Sequence, residues 1–333
     1  MSNKPQIDLV VPWVDGNDIN WQKEKIQYTS TKEGDQRIIR YRDWELMKYW
    51  FRGVEKALPW IRKIHFITWG HLPDFLNTEN PKLNIVNHKD YIPSEYLPTF
   101  SSHTIELNLH RIEDLSECFI YANDDTFFMR PLEETFFFSE DGLPVDAAIQ
   151  NVLQFRETTG VAHITANDLT YLNMNFCKSE VMSKNKKKWY NLSYGKKMFY
   201  NLYTKPFQNF TGFDDAHLPF SYRKSTWLDV WEKCGDVLNE TCSHKVRTAK
   251  DVNQWLMRYW QFAQGTFSPS NPYRGDFLVI GRDDEKIEKI IKNTSSPMIC
   301  LSDDYEDLSF EKERDFLIEC FEVAFPEKSS FEV

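Results

Sequence analysis

The feature that most constrains the fold is an alternation of strand-like and helical segments over the first 125 residues. Short apolar runs at 7–14, 63–69, 83–86 and 118–122 are separated by helical patterns at 19–30, 43–58 and 102–114. Such alternation is typical of parallel sheets, because each parallel connection needs a crossover element. We therefore predict an α/β fold with a Rossmann-like, mainly parallel sheet flanked by helices and a helical C-terminal part.

The second half of the chain is less regular. Helical patterns occur at 222–238, 250–262, 284–292 and 305–325, with short returning strands at 277–280 and 298–301. Residues 151–175 are ambiguous, and the lysine-rich stretch 183–190 is typical of a solvated helix face. We predict a catalytic domain over 1–265, with an α/β core at 1–150 completed by a helix-rich part at 151–265. Residues 266–333 are predicted to form a strand and helix extension packed on that core.

Glycine usage excludes several familiar ways of binding phosphate. Only 12 of the 333 residues are glycine, and none are spaced as G-x-G-x-x-G, G-x-x-x-x-G-K or G-x-S-x-G. A glycine-loop dinucleotide fold, a P-loop NTPase and a nucleophile-elbow hydrolase are therefore disfavoured. The formal net charge of −10 also disfavours a general nucleic-acid binder, so no nucleic-acid partner is expected.

The N-terminus and the cysteines bear on the cellular compartment. The first six residues are polar, without the apolar core of a signal peptide, and no apolar run reaches the length of a membrane span. The six cysteines contain no C-x-x-C pair. We expect a cytoplasmic chain with no transmembrane segment.

Three polar residues follow the apolar run 118–122, namely Asn123, Asp124 and Asp125. Ligands of open α/β sheets bind beyond the carboxyl ends of the strands. Adjacent carboxylates at such a place suit Mg²⁺, which prefers oxygen ligands. A turn or helix cap is an equally good interpretation, because Asn and Asp favour both.

Two further carboxylates flank the first apolar run. Asp8 lies at its start, where it is either an exposed first residue or a buried carboxylate with a partner. Trp13 and Asp15 lie at its end, where they either contact a ligand or form a core tryptophan beside a turn. Arg42 and Asp43 begin the next helical pattern, as a phosphate contact or as an ordinary surface pair.

The remaining candidates are histidines and arginines. Glu106 and His110 are four residues apart on a predicted helix face, followed by Arg111, which is more typical of a surface contact than of a zinc helix. His217 has an ordinary pKa suited to a general base. Arg247, with His244 just before it, is able to balance phosphate charge. Taken singly, each is more often structural.

Together and in order, these segments resemble the Stealth family, the sugar-1-phosphate transferases of microbial capsule and cell-wall polysaccharide synthesis. A related enzyme makes the mannose-6-phosphate tag of lysosomal enzymes. The four conserved regions of the family resemble IDLVVPWVDGND, RYRDWELMKYWFRGVEKALPWIRKIHFIT, LPTFSSHTIELNLHRIEDLSECFIYANDDTFF, and AHLPFSYRKSTW with HKVRTAKDVNQW. The resemblance covers most of residues 7–262, and no motif covers the chain from about residue 268 onward.

The resemblance implies that a nucleotide-sugar, typically a UDP-hexose or UDP-N-acetylhexosamine, donates sugar-1-phosphate to a hydroxyl of a glycan acceptor and releases UMP. The acceptor it implies is a lipid-linked polysaccharide at the inner face of the membrane, where peripheral contact of the enzyme, for instance through the lysines at 184–188, is the alternative to a merely solvated helix face. It implies roles for the residues already singled out. Asp124 and Asp125 hold Mg²⁺ or Mn²⁺, His217 takes the acceptor proton with Asp8 or Asp15 as rival bases, and Arg247 with Arg42 stabilises phosphate charge. Trp13 and Asn123 seat the donor, and the remaining substrate contacts are Asp43, Glu106, His110, Arg111 and His244.

Two other functions share part of this pattern. A metal-dependent glycosyltransferase uses the same strand-end carboxylates but releases UDP. A non-catalytic carbohydrate-binding protein fits the 15% aromatic content but has no need of paired aspartates. The segments with His217 and with His244 and Arg247 favour the sugar-1-phosphate transferase over the glycosyltransferase, and the paired aspartates argue against the carbohydrate-binding protein.

Overall fold

A computed structural model describes residues 4–29, 43–155, 160–303 and 309–333. The strands are β1 (Ile7–Pro12), β2 (Ile64–Thr68), β3 (Leu83–Asn87), β4 (Cys118–Tyr121), β5 (Thr126–Phe128), β6 (Val145–Asp146), β7 (Phe220–Arg223), β8 (Ser268–Pro269), β9 (Asp276–Val279) and β10 (Met298–Ser302). The four strand-like runs of the first half are thereby confirmed, as are both returning strands of the second half.

The helices include the predicted segments, with shifted ends, and others that the sequence patterns did not predict. They are α1 (Ile19–Tyr28), α2 (Met47–Ala57), α3 (His88–Tyr91), α4 (Ser102–Leu107), α5 (Val161–Asn175), α6 (Lys178–Lys184), α7 (Lys186–Trp189), α8 (Met198–Tyr203), α9 (Lys224–Ser243), α10 (Trp255–Gln264), α11 (Asp284–Lys292) and α12 (Phe310–Ala324). None of these helices is long and apolar enough to cross a membrane.

Three predicted helix boundaries were wrong. The helical pattern expected to begin at Asp43 forms α2 four residues later, and the N-cap position of that helix is Leu46. The segment predicted as one helix at 102–114 ends its α-helical part at Leu107 and continues as a separate turn of 3₁₀-helix. The helix predicted from residue 222 begins at Lys224, since Tyr222 belongs to β7.

The main sheet has five strands in the order β3-β2-β1-β4-β7. The first four are parallel, and β7 joins β4 antiparallel. The chain leaves β1 toward β2 on one side and returns to β4 on the other, so the strand order reverses between β1 and β4. The carboxyl ends on either side of such a reversal form a crevice that binds ligands in open α/β folds.

Both faces of the sheet are covered, as the continuous apolar runs predicted. Leu9, Val11 and Phe66 pack on one side, in a cluster that includes α2, α11, α12 and the second sheet of β5, β10 and β9. Val10 and Phe119 point to the other side, among side chains of α5, α9 and α10. Parallel sheets are buried on both faces, and the side-chain alternation along β1 divides the two clusters.

The C-terminal segment closes one side of this core. Side chains from residues 278–331 belong to the same apolar cluster as β1 and α2. Helix α2 reaches β5 closely at Gly53, where an added Cβ would lie 2.7 Å from the carbonyl oxygen of Phe128. A glycine is required there because any side chain would separate the helix from the strand.

Asp8 lies at the amino end of β1, at the opposite edge of the sheet from the strand ends that carry polar residues. Its carboxylate is fully buried and accepts two hydrogen bonds from Arg62, at 2.8 and 2.6 Å. It also contacts Nε2 of His65 at 3.0 Å and accepts from the backbone N–H of Ser116 at 2.8 Å. Burial raises the pKa of Asp8, but the bonds to His65, Arg62 and Ser116 outweigh it and lower the pKa to about 2. Asp8 is therefore a structural anion, and we withdraw it as a rival catalytic base.

We predict that Asp8→Asn destabilises the fold by about 2–4 kcal/mol, because it leaves Arg62 facing a neutral group in a buried place. Since the native pKa lies below that of the unfolded chain, this contribution is complete above about pH 4 and is lost as the pH falls toward 2. Urea unfolding of both proteins at a series of pH values measures the difference. A gap between the two that stays constant down to pH 2 would contradict the assignment.

Candidate active site

Strand register brings three polar segments to one edge of the sheet. Asp15 follows the carboxyl end of β1, and Asn123, Asp124 and Asp125 follow the carboxyl end of β4, its parallel neighbour. Because β7 runs antiparallel, its first residue Phe220 pairs with Tyr121, the last residue of β4. His217, three residues before β7, therefore arrives at the same edge.

His217 and Asp125 are in direct contact. The imidazole Nε2 lies 3.4 Å from the Asp125 carboxylate and 3.1 Å from the side-chain nitrogen of Asn123. Both side chains remain accessible, at 41% and 38% exposure. Desolvation by the surrounding protein lowers the pKa of His217, but the charge of Asp125 and its hydrogen bond outweigh it, so the pKa is raised. A histidine held by a carboxylate and open to solvent is able to take a proton from a bound hydroxyl.

Acidic residues from three loops gather beside this pair. Enclosure by the protein, followed by the negative charges of Asp125 and Asp43, raises the pKa of Asp124 to about 7. Because the Asp124 side chain is exposed to water, the two like charges, rather than enclosure, are the cause of the raised pKa that remains when the site is hydrated. Burial, together with the charges of Asp15 and Glu45, raises the pKa of Asp43. Such mutual repulsion is relieved when a cation binds between the carboxylates.

Glu106 and Arg247 complete the group. Glu106 is buried and accepts a hydrogen bond from the Tyr121 hydroxyl at 3.2 Å, while its other carboxylate oxygen has no hydrogen-bond partner among the described residues. Its charge and that of Arg247 both act on His217. The Arg247 side chain makes neither a hydrogen bond nor an ion pair to any other described residue. A partly buried arginine without a protein partner is suited to an anionic ligand.

The chemistry of the site fits a divalent cation. Asp125 Oδ1 is buried and has no hydrogen-bond partner in the described part of the chain. Asp125, His217 and Cys300 each place one ligand atom within 4.8 Å of the others. The oxygens of Asp124 and Asp125 suit Mg²⁺ or Mn²⁺, whereas the sulfur and imidazole nitrogen favour a softer ion. Of the predicted metal ligands, only Asp125 belongs to this three-residue group.

The C-terminal segment contributes side chains that sequence analysis missed. Cys300 of β10 pairs with Thr126, the residue after Asp125, and in the next strand pairs with Phe277 of β9. The Phe277 ring lies 6.5 Å from the His217 ring and is 48% exposed. No motif marks either residue. An aromatic residue at the first position of the predicted returning strand 277–280 was the available signal.

His244 is part of a second cluster, also missed, centred on Asp251. This aspartate is fully buried and bonds Nδ1 of His244 at 2.7 Å and Nδ1 of His103 at 2.9 Å. It also accepts from the N–H and hydroxyl of Thr248, at 2.9 and 2.7 Å. These four bonds close the loop that carries Arg247 onto the start of α4, and the two histidines and Thr248 lower the pKa of Asp251 against its burial.

Other predicted site residues lie elsewhere. Trp13 is a core side chain, 7% exposed, with its ring against Phe66 and His71 at 5.6 and 5.3 Å, so it offers no face to a donor. His110 does not share a helix face with Glu106, because α4 ends at Leu107 and the His110 ring packs beside Trp231.

Of the two other arginines predicted as site residues, the structure describes only Arg111. Arg111 stacks over Trp231 at 5.1 Å and donates to Asn108 at 3.1 Å, so these two side chains hold its guanidinium. Arg42 lies outside the described residues, so its predicted contact with phosphate stays a prediction. Asp15 stays at the sheet edge, where its side chain accepts from the N–H of Asn17 at 2.8 Å.

Comparison with known proteins identifies the family. The chain matches Stealth protein CR1, conserved region 1, over residues 5–33, and Stealth protein CR2, conserved region 2, over residues 40–146. The second match spans both stretches that we described as a second and a third region, so they form one region. A solved structure of galactosyltransferase LgtC with donor and acceptor sugar analogs has a TM-score of 0.38 and 8% identity, covering 94% of this chain and 95% of that one.

Curated relatives match along the whole chain. Capsular polysaccharide phosphotransferase WcwK of Streptococcus pneumoniae is 41% identical, covering 100% of this chain and 99% of the relative. Exopolysaccharide phosphotransferase cps2G of Lactiplantibacillus plantarum is 38% identical over 98% and 96%, and receptor polysaccharide phosphotransferase WefC of Streptococcus gordonii is 36% identical over 98% and 99%. The chain therefore belongs to the Stealth protein family, and like these relatives it is a phosphotransferase.

Proposed function

We propose that this enzyme transfers sugar-1-phosphate from a nucleotide-sugar, a UDP-hexose or UDP-N-acetylhexosamine, to a hydroxyl of a glycan acceptor in capsule or exopolysaccharide synthesis. The observation that carries the proposal is the contact of His217 with Asp125 at one sheet edge, with the unpartnered Arg247 near enough for its charge to act on the imidazole. An accessible base beside a cluster of carboxylates and an unpartnered cation suits phosphoryl transfer, which depends on positioning and charge neutralisation.

In the proposed reaction the acceptor hydroxyl attacks the phosphorus that bears the sugar. His217 takes the hydroxyl proton while Asp125 fixes the orientation of its imidazole. A new P–O bond forms, the bond to the leaving phosphate of UMP breaks, and the sugar keeps its anomeric configuration because its C1–O bond is untouched. Arg247 donates hydrogen bonds to the phosphate oxygens while negative charge shifts from the transferred phosphate to the leaving phosphate.

The other residues bind and orient. Asp125, with Asp124, would hold Mg²⁺ or Mn²⁺, which when bound supplies charge neutralisation on the donor diphosphate. The side-chain amide of Asn123 also contacts Nε2 of His217, at 3.1 Å. Glu106 has one free carboxylate oxygen for a sugar hydroxyl, and the exposed ring of Phe277 offers a face for a sugar ring. We place the reaction in the cytoplasm, with a lipid-linked acceptor.

The nucleotide product decides between the proposed reaction and glycosyl transfer. We predict that purified enzyme, incubated with Mg²⁺ and a panel of UDP-sugars with and without glycan acceptor, releases UMP as measured by ion-exchange chromatography. Release of UDP alone would show a glycosyltransferase instead. Binding of glycans without any nucleotide product would show a carbohydrate-binding protein.

We predict that Asp125→Asn and His217→Gln each lower kcat by about 10²–10⁴-fold, because each removes a group that acts in the transition state. Circular dichroism should be unchanged, since both side chains are accessible at the sheet edge. The matched control is Asp141→Asn, an exposed aspartate that bonds Ser139 in a loop. Activity of either site variant equal to that of the control would refute its assigned role.

Asp251 is predicted to act as a positioning residue. Asp251→Asn retains the shape of the side chain but weakens its bonds to both histidines, so the loop that carries Arg247 loses its anchor. We expect kcat/KM to fall about 10- to 100-fold, mainly through kcat. Asp229→Asn is the control, because Asp229 also accepts two side-chain bonds, from Trp260 and Gln264, on the far side of α9. An equal loss in both variants, tracking their thermal unfolding, would indicate a merely structural role.

A further inference from the structure

One surface of the second half stands apart from the rest of this acidic protein. We define the lysine–aromatic face as the exposed residues of the segment 184–207. Its large apolar side chains are 43–86% exposed, namely Leu192, Phe199, Tyr200, Leu202, Tyr203 and Phe207. Scattered single apolar residues on a surface are ordinary, but six within sixteen positions mark an interaction site.

The segment is fixed in place from beneath. Trp189, Tyr194 and Asn201 are fully buried. Asn201 donates to the carbonyl oxygens of Ala148 and Trp189, at 2.8 and 2.7 Å, and accepts from the N–H of Gln150 at 2.8 Å. The exposed side chains are therefore the outer surface of an anchored segment.

Helix α8 shows this division of sides most clearly. Asn201 faces the protein, while Phe199, Tyr200, Leu202 and Tyr203 are all exposed. At 100° per residue these four lie within one continuous arc opposite Asn201. The helix thus presents an apolar side to solvent.

The same segment is positively charged. Residues 184–205 contain seven lysines and no aspartate or glutamate, in a chain whose net charge is −10. Two of these lysines have local partners, since Lys188 donates to backbone carbonyls and Lys197 pairs with Asp214. The exposed ones make no ion pair within the described residues, namely Lys184, Lys186, Lys187, Lys196 and Lys205.

We propose that the lysine–aromatic face docks the enzyme on an anionic lipid bilayer. Aromatic and leucine side chains insert at the boundary between headgroups and acyl chains, and lysines attract anionic headgroups. A second copy of this chain is a poor occupant, because a symmetric contact would press lysines against lysines. A soluble glycan stacks on aromatic rings but gives no reason for the 86% exposure of Leu192.

The segment also contacts the loop that precedes β7. Lys197 Nζ lies 2.6 Å from the carboxylate of Asp214, three residues before His217 in the chain. The docking itself does not depend on the proposed reaction, and its test measures binding alone.

The test is co-sedimentation of the full chain with vesicles of phosphatidylcholine, with and without phosphatidylglycerol. We expect binding to the anionic vesicles, little to the neutral ones, and weakening as NaCl rises from about 0.1 to about 0.5 M. The salt series needs no variant. Absence of binding to anionic vesicles, or equal binding to both, overturns the proposal.

Two double variants separate the two contributions. Phe199→Ser with Tyr203→Ser, and Lys186→Glu with Lys187→Glu, are each expected to weaken binding about tenfold or more. The matched control, Leu228→Ser with Lys289→Glu, changes an exposed leucine and an exposed lysine elsewhere and should bind as wild type. Equal binding by all three, with thermal unfolding like that of wild type, places any vesicle contact elsewhere and overturns the proposal. Retention by a soluble anionic glycan without vesicle binding does the same.

Discussion

The pairing of β7 with β4 is the constraint on which the site depends. Four residues of β7 run antiparallel to β4, so the start of one strand meets the end of the other. A parallel strand in the same place would have carried His217 to the opposite edge, beside Asp8. The antiparallel direction brings His217 to Asp125, and with it the contact that the proposed reaction uses.

A second sheet extends this edge. β5 begins directly after Asp125 and pairs with β10, which in turn pairs with β9. The register places Cys300 and Phe277 one and two strands away from the carboxylates. The C-terminal segment therefore takes part in the site as well as in the core, although no motif of the sequence covers it.

The parallel core was predictable because it rests on local patterns. Apolar runs of strand length alternate with helical periodicity, and carboxylates follow the strand that ends at Tyr121. The contacts of the site could not be predicted from local patterns, because a contact such as that of His217 with Asp125 depends on strand direction. β7 has only four residues and is followed at once by α9, so its second half was predicted as the start of the helix. Trp13 was misassigned for a related reason, since a tryptophan at a strand end is equally compatible with a core and with a ligand face.

The carboxylates at the two ends of the sheet show how function separates from stability here. Asp8 is fully buried, yet Arg62, His65 and the Ser116 N–H satisfy it, and the result is a lowered pKa. Asp124 is exposed at the other end, among like charges and without a basic partner of its own, and its pKa is raised. The same residue type in the same sheet is thus a stabilising ion where the protein supplies its counter-charge. Where the protein supplies no counter-charge, as at Asp124, a bound cation or substrate is able to supply it.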